Sequence, residues 1–154
     1  MRKRRGKRVV KIRPMAVSDA DRVAHLITQL GYPSSSQQIA QRFARIDGQS
    51  NQALFVADDE GEVVASVHVA ANPYLEHDAS AEILGLVVAD GYRGQGIGKA
   101  LVSAAEAWAA AVGCGMLRVR SNTIRTRAHA FYDRAGFQRI KTQQCFEKDL
   151  RPSA

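Results

Sequence analysis

The stretch Arg93-Gly-Gln-Gly-Ile-Gly98 follows an apolar segment, Ala81–Val88, and precedes a helical pattern that runs to about Val112. Glycine has no Cβ, so a glycine-rich turn lets the main chain come close to a ligand. The first turn of a helix adds unpaired backbone N–H groups and a partial positive charge. The stretch therefore predicts a strand–turn–helix unit that binds a phosphate or pyrophosphate.

Two common phosphate-binding patterns do not fit this turn. A P-loop requires Gly, four residues and then Gly-Lys-Ser/Thr, but Arg93 stands where the first glycine should be and Ala100 where the hydroxyl should be. A dinucleotide-binding turn requires Gly-x-Gly-x-x-Gly, and the two readings that start correctly end on Lys99 and Leu101. The pattern that remains is Arg-x-x-Gly-x-Gly.

A second block lies downstream of the glycine turn. Ser121-Asn122 is followed by a helical pattern, Arg125–Phe137, which ends in Phe-Tyr-x-x-x-Gly-Phe. The two blocks, in this order and spacing, resemble the GNAT superfamily of N-acetyltransferases over residues 81–137. The resemblance implies a mixed α/β (α+β) GNAT fold, in which a mostly antiparallel central sheet is flanked by about four helices.

The resemblance also implies an activity. A GNAT enzyme moves an acetyl group from acetyl-CoA, its cosubstrate, to a primary amine by direct attack in a ternary complex. The acceptor stays open between a small-molecule amine and a protein amine. The alternative is an acyl-CoA-binding sensor or an inactive GNAT-like module.

Hydrophobic periodicity predicts the element order β-α-α-β-β-β-α-β-α-β-β. Ser18, with Asp21 three residues later, is typical of a capping box at the start of the first helix. The stretches 137–141 and 143–150 are predicted to be the last two strands.

The resemblance assigns cofactor contacts to two regions. The glycine turn would hold the pyrophosphate, and the end of the strand 81–88 would offer main-chain groups to the pantetheine arm. An N–H at Leu86 would bind the thioester oxygen. For the side chains of Arg93 and Lys99, ordinary surface solvation is the alternative. The predicted cofactor-binding residues are Leu86, Val87, Val88, Arg93, Gly94, Gln95, Gly96, Ile97, Gly98, Lys99, Asn122, Ala128 and Phe131.

Glu82 and Tyr132 are the predicted catalytic residues. A carboxylate within an apolar strand is costly unless it is solvated or functional, and simple alternation puts Glu82 on the same strand face as Leu86. The spacing resembles the GNAT branch with a general base at that offset; the alternative is a solvated or Arg-paired carboxylate. The resemblance gives Tyr132 the role of proton donor to the CoA sulfur, with helix packing as the alternative.

The charge distribution separates a short tail from the rest of the chain. The net charge of the 154 residues is +7, and residues 2–8 carry six positive charges, which leaves +1 for the remainder. We therefore expect a basic, disordered tail at 1–8 and a single N-acetyltransferase domain at 9–154. The nearly neutral domain argues against a nucleic-acid-binding protein.

The remaining composition favours a cytoplasmic protein. No apolar stretch is long enough to span a membrane, and no signal peptide is apparent. Cys114 and Cys145 form no Cys-x-x-Cys pair and are expected to be buried free thiols. No ligand spacing predicts a metal site. The oligomeric state is open, with a homodimer among the alternatives.

Overall fold

The computed structural model describes residues 9–153 in two compact units, of which the first ends at Arg120 and the second begins at Ser121. The first unit contains a sheet of five strands, β1 (Lys11–Pro14), β2 (Gln52–Asp59), β3 (Glu62–Asn72), β4 (Ser80–Val88) and β5 (Leu117–Val119). It also contains α1 (Ala20–Gln29), α2 (Ser36–Ile46) and α3 (Ile97–Ala111). The second unit contains α4 (Thr126–Arg134). The predicted tail, 1–8, lies outside the described residues.

The sheet has the order β1-β2-β3-β4-β5 and is antiparallel except for the last pair, in which β5 runs parallel to β4. Its centre, β3, is buried without interruption from Val63 to Val67. Successive residues of a strand point to opposite faces, so both faces of β3 are covered. The helices α1 and α3 both contact it. The predicted α+β class, with a mixed and mostly antiparallel sheet, is confirmed.

The start of α1 differs from the predicted capping box. Residues Val17–Asp19 form a short 3-10 turn, and α1 begins after it without a side-chain cap from Ser18. The Asp19 carboxylate instead accepts hydrogen bonds from the Arg13 guanidinium at 2.8 and 2.9 Å and from the Ala16 N–H at 2.8 Å. The hydrogen bonds from Arg13 lower the pKa of Asp19 below its ordinary value of 3.8. The Asp19 side chain, at the N-cap position of α1, is therefore held by Arg13 and Ala16 and does not cap the helix.

The prediction of two final strands is wrong for the described residues. Residues 137–150 form neither a strand nor a helix in the described structure. A strand-like sequence needs a ladder partner to become a strand, and local pattern does not supply one. Both cysteines are free, as predicted, but neither is buried, since Cys114 is partly exposed and Cys145 fully so.

Three of the four α-helices begin close to where their sequence signals lie. The Ser35 side chain accepts a hydrogen bond from the Gln38 N–H at 3.1 Å and forms a capping box for α2. The glycine turn leads into α3, and α4 follows Ser121-Asn122. No helix within residues 9–153 is long and apolar enough to cross a membrane.

Candidate active site

The strand β4 is paired on both sides along its first half and on one side only along its second half. Its first half pairs with β3 on one side and, at Ala81, Glu82 and Ile83, with β5 on the other. Beyond Ile83, β5 no longer pairs with it, and only β3 remains. The far half of β4 therefore has one edge that no strand of the described chain occupies.

The main-chain groups on this open edge follow from the register. The Ala89 N–H donates to the Val64 carbonyl at 2.8 Å, so the main chain of Ala89 faces β3. Peptide groups alternate along an antiparallel strand, so Val87 also faces β3 while Leu86 and Val88 face the open edge. The Leu86 N–H is thus directed at the gap, where the sequence places the thioester contact.

Val87 and Val88 have other partners, so the predicted cofactor contacts are not equally supported. The side chain of Val87 is buried in the core formed with α1 and α2. The Val88 carbonyl accepts a hydrogen bond from the Gln29 side chain at 3.0 Å. Within 86–88, Leu86 is the residue whose main chain is best placed to meet a ligand.

A β-bulge separates Glu82 from Leu86 and corrects the expectation that they share a face. Glu82 lies opposite Ala70, whereas Leu86 lies opposite Val67, and Leu84 is the inserted residue between the two registers. Directly opposed residues share a face of the sheet, and one extra residue reverses the alternation. Glu82 and Leu86 therefore point to opposite faces of β4. The role of Glu82 remains a prediction.

The Glu82 carboxylate is nearly buried and has a cationic partner. Its side chain is 17% exposed, and it forms an ion pair with Arg120, just beyond β5, at 3.2 Å. The sequence is compatible with a solvated carboxylate, an Arg-paired carboxylate or a base. The structure shows the arginine pair, which offsets the cost of placing a charge in the sheet.

The glycine turn has the geometry that an anion site needs. Gly94 and Gly96 have φ angles of 75° and 81°, which only glycine adopts without strain. Gly96 precedes the first residue of α3, and Ile97, the first residue of the helix, is buried in the core. The N–H of Ala100 is the first to donate within the helix, to the Gly96 carbonyl at 3.1 Å. The preceding N–H groups of the turn have no intrahelical acceptor and are available to phosphate oxygens.

The predicted cationic side chains at this turn are both exposed. Arg93 forms an ion pair with Asp90 at 3.4 Å, and Lys99 lies on the outer surface of α3. The pair between Arg93 and Asp90 is solvated and contributes little stability. The main chain of the turn is therefore the stronger candidate for phosphate contact.

Gln29 is a functional candidate that no sequence motif indicates. From the end of α1, its side-chain amide donates to the Val88 carbonyl at 3.0 Å and accepts from the Asp90 N–H at 3.1 Å. These two bonds hold the connection between β4 and the glycine turn. Its partners lie about sixty positions away in sequence, so no local pattern could have indicated this contact.

The second unit holds Tyr132 among aromatic rings. Its ring makes edge contacts with Phe131 and Phe137, with centroids 5.1 and 5.5 Å apart. Burial raises the pKa of the Tyr132 hydroxyl above its ordinary value of 10.0, although Arg125 opposes the shift. The hydroxyl therefore keeps its proton at neutral pH, as a proton donor must.

The loop before α4 is held by Asn122. Its side-chain oxygen accepts from the Ile124 N–H at 3.2 Å, and its carbonyl accepts from the Arg125 N–H at 2.9 Å and lies 2.9 Å from a ring nitrogen of His129. Asn122 thus shapes the turn before α4, and its contact with the cofactor stays a prediction. The buried Ser121 hydroxyl has no hydrogen-bond partner within the described chain.

The predicted site residues thus fall into two groups. The first unit brings together the end of β4, the glycine turn and the start of α3; the second holds Asn122, Ala128, Phe131 and Tyr132 on one loop and helix. Residues 9–153 contain no group of three or more His, Cys, Asp or Glu side chains arranged to hold a metal ion.

Comparison with known proteins identifies the class that this fold and site define. The model of the acetyltransferase (GNAT) family matches residues 20–137, and the chain belongs to that family. It is an acetyl-CoA-dependent N-acetyltransferase.

Two curated relatives carry the same name. Aminoglycoside N(6')-acetyltransferase type 1 of Klebsiella aerogenes is 30% identical over 100 residues, which are 63% of this chain and 66%, just under two thirds, of that protein. The protein of that name from Stenotrophomonas maltophilia is 29% identical over 77% of this chain and 78% of its own length.

A solved structure supports the fold. An aminoglycoside N-acetyltransferase in complex with CoA superposes with a TM-score of 0.83 at 18% identity, covering 91% of this chain and 95% of that one.

Proposed function

We propose that this enzyme acetylates a primary amine of a small polycationic acceptor of the aminoglycoside type. Both curated relatives reported above are named for that acceptor class. The loop before β4 carries exposed acidic side chains, Glu76 and Asp78, which would favour a cationic amine near it. The family relationship supplies acetyl transfer, and the names of the relatives support the acceptor class.

The single observation that carries the mechanism is the open edge of β4 beside the glycine turn. The amides from Gly94 to Lys99 would bind the pyrophosphate of acetyl-CoA. The Leu86 N–H would donate to the thioester oxygen and stabilise the negative charge that develops there. Gln29 would hold these two groups at a fixed separation.

The reaction would proceed by direct attack in a ternary complex. The neutral amine attacks the thioester carbon, a C–N bond forms, and the C–S bond breaks to release the CoA thiolate. Tyr132 would give its proton to the sulfur, and its raised pKa supports a protonated hydroxyl at the start of the step. The amine loses one proton overall, so the products are the amide and CoA thiol.

Glu82 would accept the proton of the amine indirectly. Because the bulge puts its side chain on the face opposite Leu86, direct contact with an amine poised at the thioester is not expected from the strand geometry. A water molecule would relay the proton to the carboxylate, which pairs with Arg120.

Thiol release from acetyl-CoA tests the proposal with matched acceptors. We expect rapid release with an aminoglycoside that has a 6'-amine, and none with its counterpart that has a 6'-hydroxyl; mass spectrometry should show one added acetyl group. A lysine peptide and glucosamine 6-phosphate serve as other amine classes. Release with those alone would contradict the acceptor class, and acetyl-CoA binding without release on any amine would favour the sensor alternative.

A further inference from the structure

His68 is a partly buried, titratable side chain for which the reaction proposed above has no role. It lies on β3, opposite Leu54 of β2 and Gly85 of β4. Alternate residues of a strand share a face, so His68 shares a face with Ser66, whose partner Val87 is buried in the core formed with α1 and α2. His68 therefore belongs to the face of the sheet that carries these two helices.

Glu82 lies on the same face of the sheet as His68. It is opposite Ala70, which follows His68 by two positions on β3. Diagonal neighbours of this kind are about 7–8 Å apart, a separation that one water molecule can bridge. This face of the sheet thus presents a histidine and a carboxylate as neighbours, and Glu82 lies on the strand that has the open edge.

A hydrogen bond to Gln52 fixes the ring of His68. Its Nε2 lies 2.8 Å from Oε1 of Gln52, and a carboxamide oxygen can only accept, so Nε2 carries the proton and Nδ1 keeps its lone pair. The two nitrogens of an imidazole point in roughly opposite directions, so Nδ1 is turned away from Gln52. Within residues 9–120, Nδ1 has no hydrogen-bond partner. Burial lowers the pKa of His68 below its ordinary value of 6.5, which keeps the ring neutral at pH 7.

Gly85 leaves space between His68 and the open edge of β4. It does not have a left-handed φ, and no heavy atom of the first unit lies within 4 Å of a Cβ built on it. Neither backbone strain nor crowding requires glycine here, and glycine within a strand also marks the close approach of a ligand. Neighbouring strands lie about 4.8 Å apart. A small group above Gly85 would therefore reach both the His68 ring and the edge at the Leu86 N–H.

The charged neighbours on this face follow from the same register. Arg118 lies beside Glu82 on β5, and Arg120 forms the ion pair with that carboxylate. Arg13 shares the face on β1, two strands from β3, and is paired with Asp19. The helices α1 and α2 contribute apolar side chains to the core on this face. Glu82 is thus the neighbouring group to which a protonated histidine can pass its proton.

We propose that the reacting amine of the acceptor lies above Gly85 and gives its proton to Nδ1 of His68. This inference rests on the proposed function and names the group that receives the proton first. As the amine nitrogen attacks the thioester carbon and the C–N bond forms, one N–H proton passes to Nδ1. The C–S bond breaks and its electron pair leaves with the sulfur, as in the reaction above. The imidazolium then returns its proton through water to Glu82 and to solvent.

His68→Gln tests the proton acceptor, because glutamine can still bond to Gln52 but has no basic nitrogen. We expect kcat to fall ~100-fold while acetyl-CoA affinity, measured by calorimetry, stays at the wild-type value. His25→Gln, at an exposed histidine of α1, is the matched control and should keep the wild-type rate. A folded His68→Gln variant with the wild-type kcat would overturn the proposal.

Gln52→Glu tests the same nitrogen and keeps the ring in place. Because burial lowers the pKa of His68, the wild-type kcat/KM should fall only as the pH drops below 6.5. A carboxylate beside Nε2–H stabilises the imidazolium and raises the pKa of His68, so the fall in the variant should begin at a higher pH. A purely structural histidine would leave this part of the pH profile where it is, and that result would overturn the proposal.

Gly85→Ala tests where the amine lies, since it adds one methyl group to the space beside His68. We expect the KM for the amine to rise about tenfold while acetyl-CoA affinity and the unfolding midpoint stay unchanged, because no atom of the first unit opposes the methyl group. Gly115→Ala is the matched control, since that glycine also has no left-handed φ and no atom within 4 Å of its Cβ position.

The choice of acceptor separates this inference from the proposed function. All variants are assayed with whichever amine the wild type acetylates, so a wild type that uses only a lysine peptide would contradict the aminoglycoside class while the variants still decide the role of His68. An unchanged KM for the amine in Gly85→Ala would overturn the placement of the amine, even if the wild type acetylates aminoglycosides.

Discussion

The two ends of β4 present different groups to a ligand. Where β3 and β5 both flank the strand, the main chain is fully paired and Glu82 can contribute only its side chain, which is bound to Arg120. Where β5 no longer pairs, the Leu86 peptide group is turned to an open edge. One inserted residue, Leu84, lies between them and reverses the faces. The proposed mechanism accordingly assigns cofactor binding to main-chain groups at the open end and proton transfer to side chains elsewhere.

The largest effect is expected at the open end, from Gly96→Val. Valine at a φ of 81° is strained and would displace the amides that start α3. We expect acetyl-CoA affinity, measured by calorimetry, to fall at least ~100-fold because several charge-assisted hydrogen bonds are lost together. Gly113 follows the other end of the same helix with a φ of 90°, so Gly113→Val is the matched control. Equal losses in the two variants would mean that strain, and not phosphate contact, is responsible.

The next largest effect is expected on turnover, from a substitution of Tyr132 in α4. Tyr132→Phe should lower turnover ~100-fold at neutral pH and leave acetyl-CoA affinity nearly unchanged, since positioned proton transfer is typically worth ~10²–10⁴. Because the folded pKa of Tyr132 is raised above 10.0, the wild-type rate should not fall through loss of this proton until the pH exceeds 10. Steady-state kinetics across pH measure both. A variant with the wild-type rate would remove Tyr132 from the mechanism, and Tyr32→Phe, at an exposed tyrosine, controls for the substitution.

Local sequence patterns predicted the elements whose formation depends mainly on residues nearby in the chain. The apolar segment 81–88 and the glycines before α3 placed β4 and α3 to within about two residues of the observed bounds. The bulge at Leu84 depends on the register with β3, and Gly85 beside it was the one local hint, because a lone glycine within a strand often marks a bulge. Gln29 and Arg120 acquire their roles from partners distant in sequence. The final two strands failed as predictions because a partner strand, and not pattern, makes a strand.

A smaller effect is expected at the paired end of β4. Glu82→Gln should lower turnover about tenfold if a relayed proton reaches this carboxylate, and the rate should recover as the pH rises and more of the amine is already neutral. Glu106→Gln, at an exposed site on α3, is the control. If the ion pair is only structural, Glu82→Gln and Arg120→Gln would lower the unfolding midpoint to the same extent and leave the pH–rate profile of each variant unchanged.

The smallest effect is expected from Gln29, which holds the connection between the open end of β4 and the glycine turn. Gln29→Ala removes both bonds to the β4–turn connection, and the KM for acetyl-CoA should rise severalfold while kcat changes little, because neutral hydrogen bonds contribute about 1 kcal/mol each. Gln41→Ala on the exposed surface of α2 is the matched control. A fall in kcat with unchanged KM would contradict a positioning role in cofactor binding.

The most direct test of main-chain binding follows each backbone amide during titration with acetyl-CoA. On ¹⁵N-labelled protein, the amide signals of Leu86 and of Gly94 to Lys99 should shift with the occupancy of the site, with Leu86 moving more for acetyl-CoA than for CoA that lacks the thioester. The amides of Ala81 to Ile83, at the paired end, should remain nearly unchanged. If acetyl-CoA saturates the protein while the Leu86 and Gly94–Lys99 amides stay in place, the open end of β4 is not the cofactor site.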